Sequence, residues 1–226
     1  MWASLVTVTL SGCAASAGDE EVAARVSSSA PVSSAVADPT NATSSTTPAV
    51  RSLTFTAVGD SITAGNVPDG VAVPYSGSWV PAATGGALEF VPSWAVSGAT
   101  TQDMLAGVTP IVADVVVVMA GTNDLTSIPW EVSAANIRGI VDSVGVDDVV
   151  LSAVPPFDPA PEVAVAFNGR LEALAADEGW RFFDPWADLS LEGTYAAGAS
   201  TDGVHPTPET ASLVGTRVRG ELLSRP

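Results

Sequence analysis

The sequence contains no lysine, one cysteine and one histidine, and each scarcity closes off a class of function. Its cations are 8 arginines against 25 acidic residues, giving a net charge of -17 over 226 residues. So acidic a chain repels phosphate backbones and anionic headgroups, and nucleic acid is not an expected partner. With Cys13 alone, neither an intrachain disulfide nor a thiolate metal cluster can form. With His205 alone, a zinc site would need carboxylates at almost every position, which zinc sites rarely use. No loop has the oxygen-rich spacing of a calcium site. Neither a metal nor a cofactor is therefore expected. The length suits one domain with a full core, plus a tail.

The tail comes first. Leu5 to Leu10 is an apolar run too short to span a bilayer, but of the kind found in signal segments. It leads into Leu10-Ser11-Gly12-Cys13, which resembles the lipobox of bacterial lipoproteins and implies that Cys13 carries lipid. No Lys or Arg precedes the run, as signal segments normally require, which leaves a start upstream of Met1 open. The bland alternative is a buried cysteine in a frayed terminus. Residues 14–50 are rich in Ser, Thr, Ala and Pro without a sustained apolar period, so they cannot offset the entropy of ordering and should form a tether. The expected organisation is a signal segment over 1–13, a disordered tether over 14–50 and an ordered domain over 51–226. The protein is expected outside the cytoplasmic membrane, lipid-anchored to its outer face or secreted, touching the membrane only through the anchor, with a monomer favoured.

From Leu53 onward apolar runs recur: Leu53 to Val58, a weaker Leu88 to Val96, Val115 to Met119, Val149 to Val154, and Trp180 to Phe183. Val115-Val116-Val117-Val118 is continuous, not alternating, as in strands covered on both faces. Helical periods separate and follow the runs: Ile137, Ile140, Val141 and Val144; Val163, Phe167, Leu171 and Leu174; Ala211, Val214, Val218 and Leu222. Pro206 and Pro208 fall where a last helix would begin. Strand and helix alternate, so the predicted fold is a three-layer α/β/α sandwich around a mostly parallel sheet.

In such a sheet the strand ends share one edge, and there the polar clusters lie: Gly59-Asp60-Ser61-Ile62-Thr63, Val96-Ser97-Gly98-Ala99-Thr100 and Gly121-Thr122-Asn123-Asp124, with Asp202-Gly203-Val204-His205 before the last helix. Gly-Asp-Ser alone is equally ordinary turn chemistry. Acyl transfer, however, needs a serine, a base to take its proton, a carboxylate to orient that base, and donors for the oxyanion. Ser61, His205 and Asp202 are candidates for the first three. The backbone N–H groups of Ser61 and Gly98 and the amide of Asn123 are candidates for the last. Asp60, Asp124 and Asn168 read as structural, bonding loop backbone. The tryptophans read as core or rim, with Trp130 placed to line an acyl or sugar pocket because it follows the Asn123 loop.

Gly59-Asp60-Ser61, Gly98, Gly121-Thr122-Asn123-Asp124 and Asp202-x-x-His205 resemble, in order, the four blocks of the SGNH hydrolases, also called GDSL esterases and lipases. The resemblance runs from Leu53 to about Leu223 and implies a flavodoxin-like hydrolase fold. It implies Ser61 as nucleophile, His205 as base, Asp202 as orienting acid, and Ser61, Gly98 and Asn123 as the oxyanion hole. The expected activity is hydrolysis of carboxylic esters, small-molecule or glycan-borne, through an acyl-enzyme. The alternatives are a carbohydrate esterase that deacetylates a cell-wall or plant polysaccharide and a non-catalytic surface binding module on the same fold.

Overall fold

The structure is a computed structural model that describes residues 52–65 and 77–224. The expected signal segment, Cys13, the tether and nearly all of the loop from Asn66 to Ser78 lie outside the described residues.

Six strands form the main sheet: β1 (Leu53–Gly59), β2 (Leu88–Phe90), β3 (Trp94–Ala95), β4 (Val115–Met119), β5 (Val149–Ser152) and β6 (Arg181–Phe183). Their order is β2-β1-β4-β5-β6, with β3 also paired to β1, and every pairing is parallel. Where one strand was expected over Leu88 to Val96, two short ones succeed each other along β1. Pro92 falls between them, and a proline has no N–H to give the ladder. Expected to reach Val154, β5 instead stops at Ser152. Beyond it the Asn168 side chain substitutes for a strand, accepting from the Val154 N–H at 2.8 Å and donating to its carbonyl at 3.0 Å.

The continuous valine run is explained by two cores. Val116 and Val118 face one of them, with Met104 of α3 (Thr101–Gly107), Ile137 and Ile140 of α4 (Trp130–Val144), and Phe167 and Leu171 of α5 (Pro161–Glu178). Val115, Val117 and Met119 face the other, with Ile62 of the one-turn α1 (Ser61–Ala64), Val80 and Ala83 of the one-turn α2 (Val80–Ala83), and Val214, Val218 and Leu222 of α6 (Pro208–Leu223). Each such side chain, wholly buried, contributes about 1.5–3 kcal/mol. The predicted helical faces are the buried ones, except that Val163 is only partly covered. α6 starts at Pro208, where a missing N–H costs nothing, behind Thr207, whose hydroxyl accepts from the Thr210 N–H at 3.3 Å.

One element had no periodic signal. A small antiparallel hairpin, β7 (Ser190–Leu191) and β8 (Thr194–Tyr195), turns through Glu192-Gly193. Both turn residues are left-handed, with φ of 51° and 89°. Two such residues match the twist of a two-residue hairpin.

Candidate active site

β1 delivers Ser61 to the carboxyl edge of the sheet, at the start of the single helical turn Ser61–Ala64. The residue before the bend must be small. A Cβ on Gly59 would run into the Thr63 side chain and lie 2.9 Å from the Met119 carbonyl. Asp60 is wholly buried and caps the turn, accepting from the Ile62 N–H at 3.0 Å. The turn is held from outside as well, because the indole N–H of Trp79 donates to the Thr63 hydroxyl at 3.2 Å.

His205 and Asp202 arrive on the loop before α6. Ser61 Oγ lies 3.0 Å from His205 Nε2, and His205 Nδ1 lies 2.8 Å from Asp202 Oδ2. The three expected residues therefore form one continuous relay across 144 positions of sequence. The spacing of three residues between acid and base works because Asp202 is also the acceptor of its own turn. Its Oδ1 takes the Val204 N–H at 2.9 Å and the His205 N–H at 2.7 Å, leaving Oδ2 for the ring. One side chain thus both closes the turn and lies against the imidazole, so a turn role for Asp202 does not compete with an orienting one.

The oxyanion candidates converge through register. Gly59 pairs with Ala95 of β3 and Met119 of β4, so the residues that follow these three leave the sheet side by side. The amide of Asn123 donates to the Ala99 carbonyl at 2.9 Å and reaches Asp60 Oδ2 at 3.5 Å, which places it between the neighbours of Gly98 and Ser61. The contact with Asp60 is long enough to be given up to a substrate oxygen at little cost. Gly98 is exposed, and its N–H makes no backbone hydrogen bond in the described turns and loops. Its being glycine follows from its backbone conformation and not from crowding. The φ is 76°, while a Cβ would meet nothing within 4 Å. Asp124 is structural: buried, it accepts from the Thr101 N–H at 3.0 Å and from the Thr101 and Ser133 hydroxyls at 2.6 Å, pinning the loop after β4 to α3 and α4.

The two carboxylates nearest the reacting groups are shifted in opposite directions. Burial pushes Asp60 up to about 6, against hydrogen bonds from Ile62 and Thr122 and the nearby charge of His205. Burial also acts upward on Asp202, but bonds from the His205 N–H, the His205 ring and the Val204 N–H outweigh it. They hold that carboxyl well below the usual range. Asp202 is thus held in its ionised form beside the imidazole, the state that an orienting acid requires.

The groove over these groups has a volume of about 270 Å³ and is lined by Ser61, Gly65, Gly77, Thr201, Asp202 and His205, with Pro206 to Pro208 at one side. Trp130 is not among its walls. It lines separate grooves with Arg170, whose guanidinium lies 5.9 Å above the indole, and meets Phe167 edge-on at 5.2 Å. Sequence reasoning missed Ser200, Asp158 and Tyr195, which bond the acid–base loop. Only the Ser-Thr-Asp-Gly turn composition hinted at the first.

Residues 57–213 match the model of the GDSL-like Lipase/Acylhydrolase family, and the chain belongs to that family of ester-bond hydrolases. No curated protein matches the sequence. Among solved structures, a member of the lipolytic protein G-D-S-L family from Veillonella parvula is 19% identical with a TM-score of 0.60, over 77% of this chain and 100% of its own. The aryl esterase of M. smegmatis is 19% identical with a TM-score of 0.57, over 76% of this chain and 99% of its own. A catalytic mutant of an acetylxylan esterase from Geobacillus stearothermophilus is 18% identical with a TM-score of 0.60, over 78% of this chain and 96% of its own. At such identity these likenesses establish the fold.

Proposed function

We propose that this member of the GDSL-like family is a serine esterase that cleaves carboxylic esters through an acyl-enzyme on Ser61. The observation that carries the reading is the relay from Ser61 Oγ through the His205 ring to Asp202, at 3.0 and 2.8 Å. His205 Nε2 takes the serine proton as Oγ attacks the ester carbonyl carbon. The resulting oxyanion is met by the Ser61 and Gly98 N–H groups and the Asn123 amide. Nε2 then gives its proton to the departing alcohol. Water repeats the sequence on the acyl-serine, releasing the acid and restoring the hydroxyl. Asp202 stays ionised throughout and stabilises the imidazolium.

The test is hydrolysis of a short-chain aryl ester by purified protein. Ser61→Ala and His205→Ala should each lower kcat/KM by about 10⁴-fold or more. Because the chain has a single histidine, no other imidazole can substitute. Either variant turning over at the parental rate would overturn the mechanism. The same experiment separates the enzyme from a non-catalytic binding module, which predicts no turnover in the parental protein.

A carbohydrate esterase is the second reading, favoured by the acetylxylan esterase among the structural relatives and by the expected surface tether, which suits a polymeric substrate. Acetate release from an acetylated glycan, set against release of fatty acid from a long-chain lipid ester, separates the two. Anchoring through Cys13, outside the cytoplasm, belongs to the same proposal. Equal detergent partitioning of parental and Cys13→Ser protein would refute it.

A further inference from the structure

The acid–base loop is bonded along its backbone in a way that the relay itself does not require. Asp202 and His205 are separated by two residues, and three consecutive carbonyls across this stretch each accept a hydrogen bond from a different donor. The Gly203 carbonyl takes the Asp158 N–H at 2.9 Å, the Val204 carbonyl takes the Tyr195 hydroxyl at 3.0 Å, and the His205 carbonyl takes the Ser200 hydroxyl at 2.6 Å. The donors are cross-linked, since Asp158 Oδ1 accepts from the Tyr195 N–H at 2.8 Å. Ser200 Oγ also accepts from the Gly203 N–H at 2.9 Å. A Cβ on Gly203 would press on the Asp158 side chain, so the loops are in close contact as well as bonded.

Tyr195 is the member of this set that reaches back into the core. The residue is 9% exposed, and its ring meets that of Trp186 edge-on at 6.4 Å. Trp186 is in turn 1% exposed, and its indole N–H donates to the Ala153 carbonyl just beyond β5 at 3.1 Å. The hairpin that carries Tyr195 is fixed on its other side, where the Phe157 N–H donates to the Gly193 carbonyl at 2.8 Å. A chain of rigid parts thus runs from the sheet through Trp186 and Tyr195 to the peptide just before the base. Burial, with the charges of Asp202, Asp158 and Asp60 nearby, pushes the phenol above its ordinary value. It therefore remains a donor throughout the range in which an imidazole can serve as a base.

We propose that Tyr195 is a positioning residue for ester hydrolysis: its hydroxyl, acting on the Val204 carbonyl, transmits the rigidity of the sheet to the loop that holds Asp202 and His205. The inference rests on the assignment of that loop as the acid–base element. Asp202 is exposed and Val204 and His205 are only partly covered, so packing alone does not fix the imidazole. A displacement of about 1 Å in a catalytic group can cost on the order of 100-fold in rate, so a bond that removes slack belongs in kcat and not in binding.

The experiment compares parental and Tyr195→Phe protein on a short-chain aryl ester, with competent sites counted by a serine-directed phosphonate and folding followed by thermal unfolding. The ring and its packing on Trp186 are kept, and only the hydroxyl is lost. The expected result is a kcat per titrated site reduced about 10-fold, with KM within about two-fold. The rate of phosphonate labelling should fall in parallel, since labelling uses the same activated hydroxyl. A kcat per titrated site within two-fold of the parental value overturns the proposal. So does a loss of activity wholly accounted for by fewer competent sites, which would make Tyr195 a folding residue only. Turnover by the parental protein and its loss in Ser61→Ala test the esterase reading separately, so the two failures are distinguishable.

Discussion

At one end of the candidate groove the proposed nucleophile stands on the sheet, and at the other the proposed acid and base stand on a loop. Ser61 is 7% exposed and follows a central strand, immediately after a wholly buried Asp60 and, before that, a glycine with no room for a side chain. The Asp202 side chain is 50% exposed and that of His205 28%, and they are held chiefly by hydrogen bonds to loop backbone. The difference is clearest in the carboxylates. Asp60 is bonded but so deeply buried that its charge is disfavoured. Asp202 is less buried and so well supplied with donors that its charge is favoured. Packing holds Ser61 and Asp60 at a cost in desolvation that nothing outweighs at Asp60, whereas at Asp202 the directed N–H groups and the imidazole outweigh that cost.

The largest test of this contrast is on the buried side. Asn123→Ala removes the amide aimed between Asp60 and Ala99 and should lower kcat about 10²- to 10³-fold, with a smaller change in KM, measured on a soluble aryl ester. A purely structural Asn123 would instead show as a lower unfolding midpoint with kcat per competent site preserved.

A second test uses the opposite signs of the two carboxylates. Asp60 is raised from 3.8 to about 6, so between those values the native state holds a proton that the unfolded chain has released. Its contribution to stability therefore falls as pH rises through that window. Asp202 is lowered, so its contribution is present above the ordinary carboxylate range and is lost as pH falls through and below it. Denaturant unfolding at pH 4 and pH 7 should show Asp60→Asn gaining on the parental protein by on the order of 3 kcal/mol across the interval. An unchanged difference at the two values would mean that Asp60 is not desolvated as described.

Smallest is an effect in the hairpin beneath the loop. Glu192 is held at φ 51°, a region that Asn tolerates better than Glu. Glu192→Asn should raise the unfolding midpoint by about 2 °C, on the order of 0.5–1 kcal/mol, with kcat unchanged. A fall in the midpoint would contradict the turn geometry.

How far the molecule could be read from its sequence follows the same division. The sheet side was legible because strands covered on both faces leave continuous runs such as Val115–Val118. In a parallel sheet, strand ends must meet, so Ser61 and Asn123 could be placed together without coordinates. The pairing of Asp202 with His205 was legible from chemistry, as the chain offers one imidazole. What held that pair was not legible. Tyr195 and Asp158 lie 9 and 45 residues before Val204 and Gly203, whose carbonyls they meet, on segments with no apolar period, and their contribution depends on one hydroxyl and one N–H reaching those two carbonyls. Periodicity reports burial, and the hairpin is too short to have a period. Trp130 misled for a related reason, because adjacency to the Asn123 loop says nothing of which way the first turn of a helix directs an indole.

The central claim is that Ser61 is made nucleophilic by His205, and intact-mass measurement after treatment with a serine-directed phosphonate tests it most directly. The parental protein should take up one adduct, located on Ser61 by peptide mapping, and His205→Ala should take up essentially none over the same time. An adduct on another serine, or equal labelling of Ser61 with and without the imidazole, would contradict it.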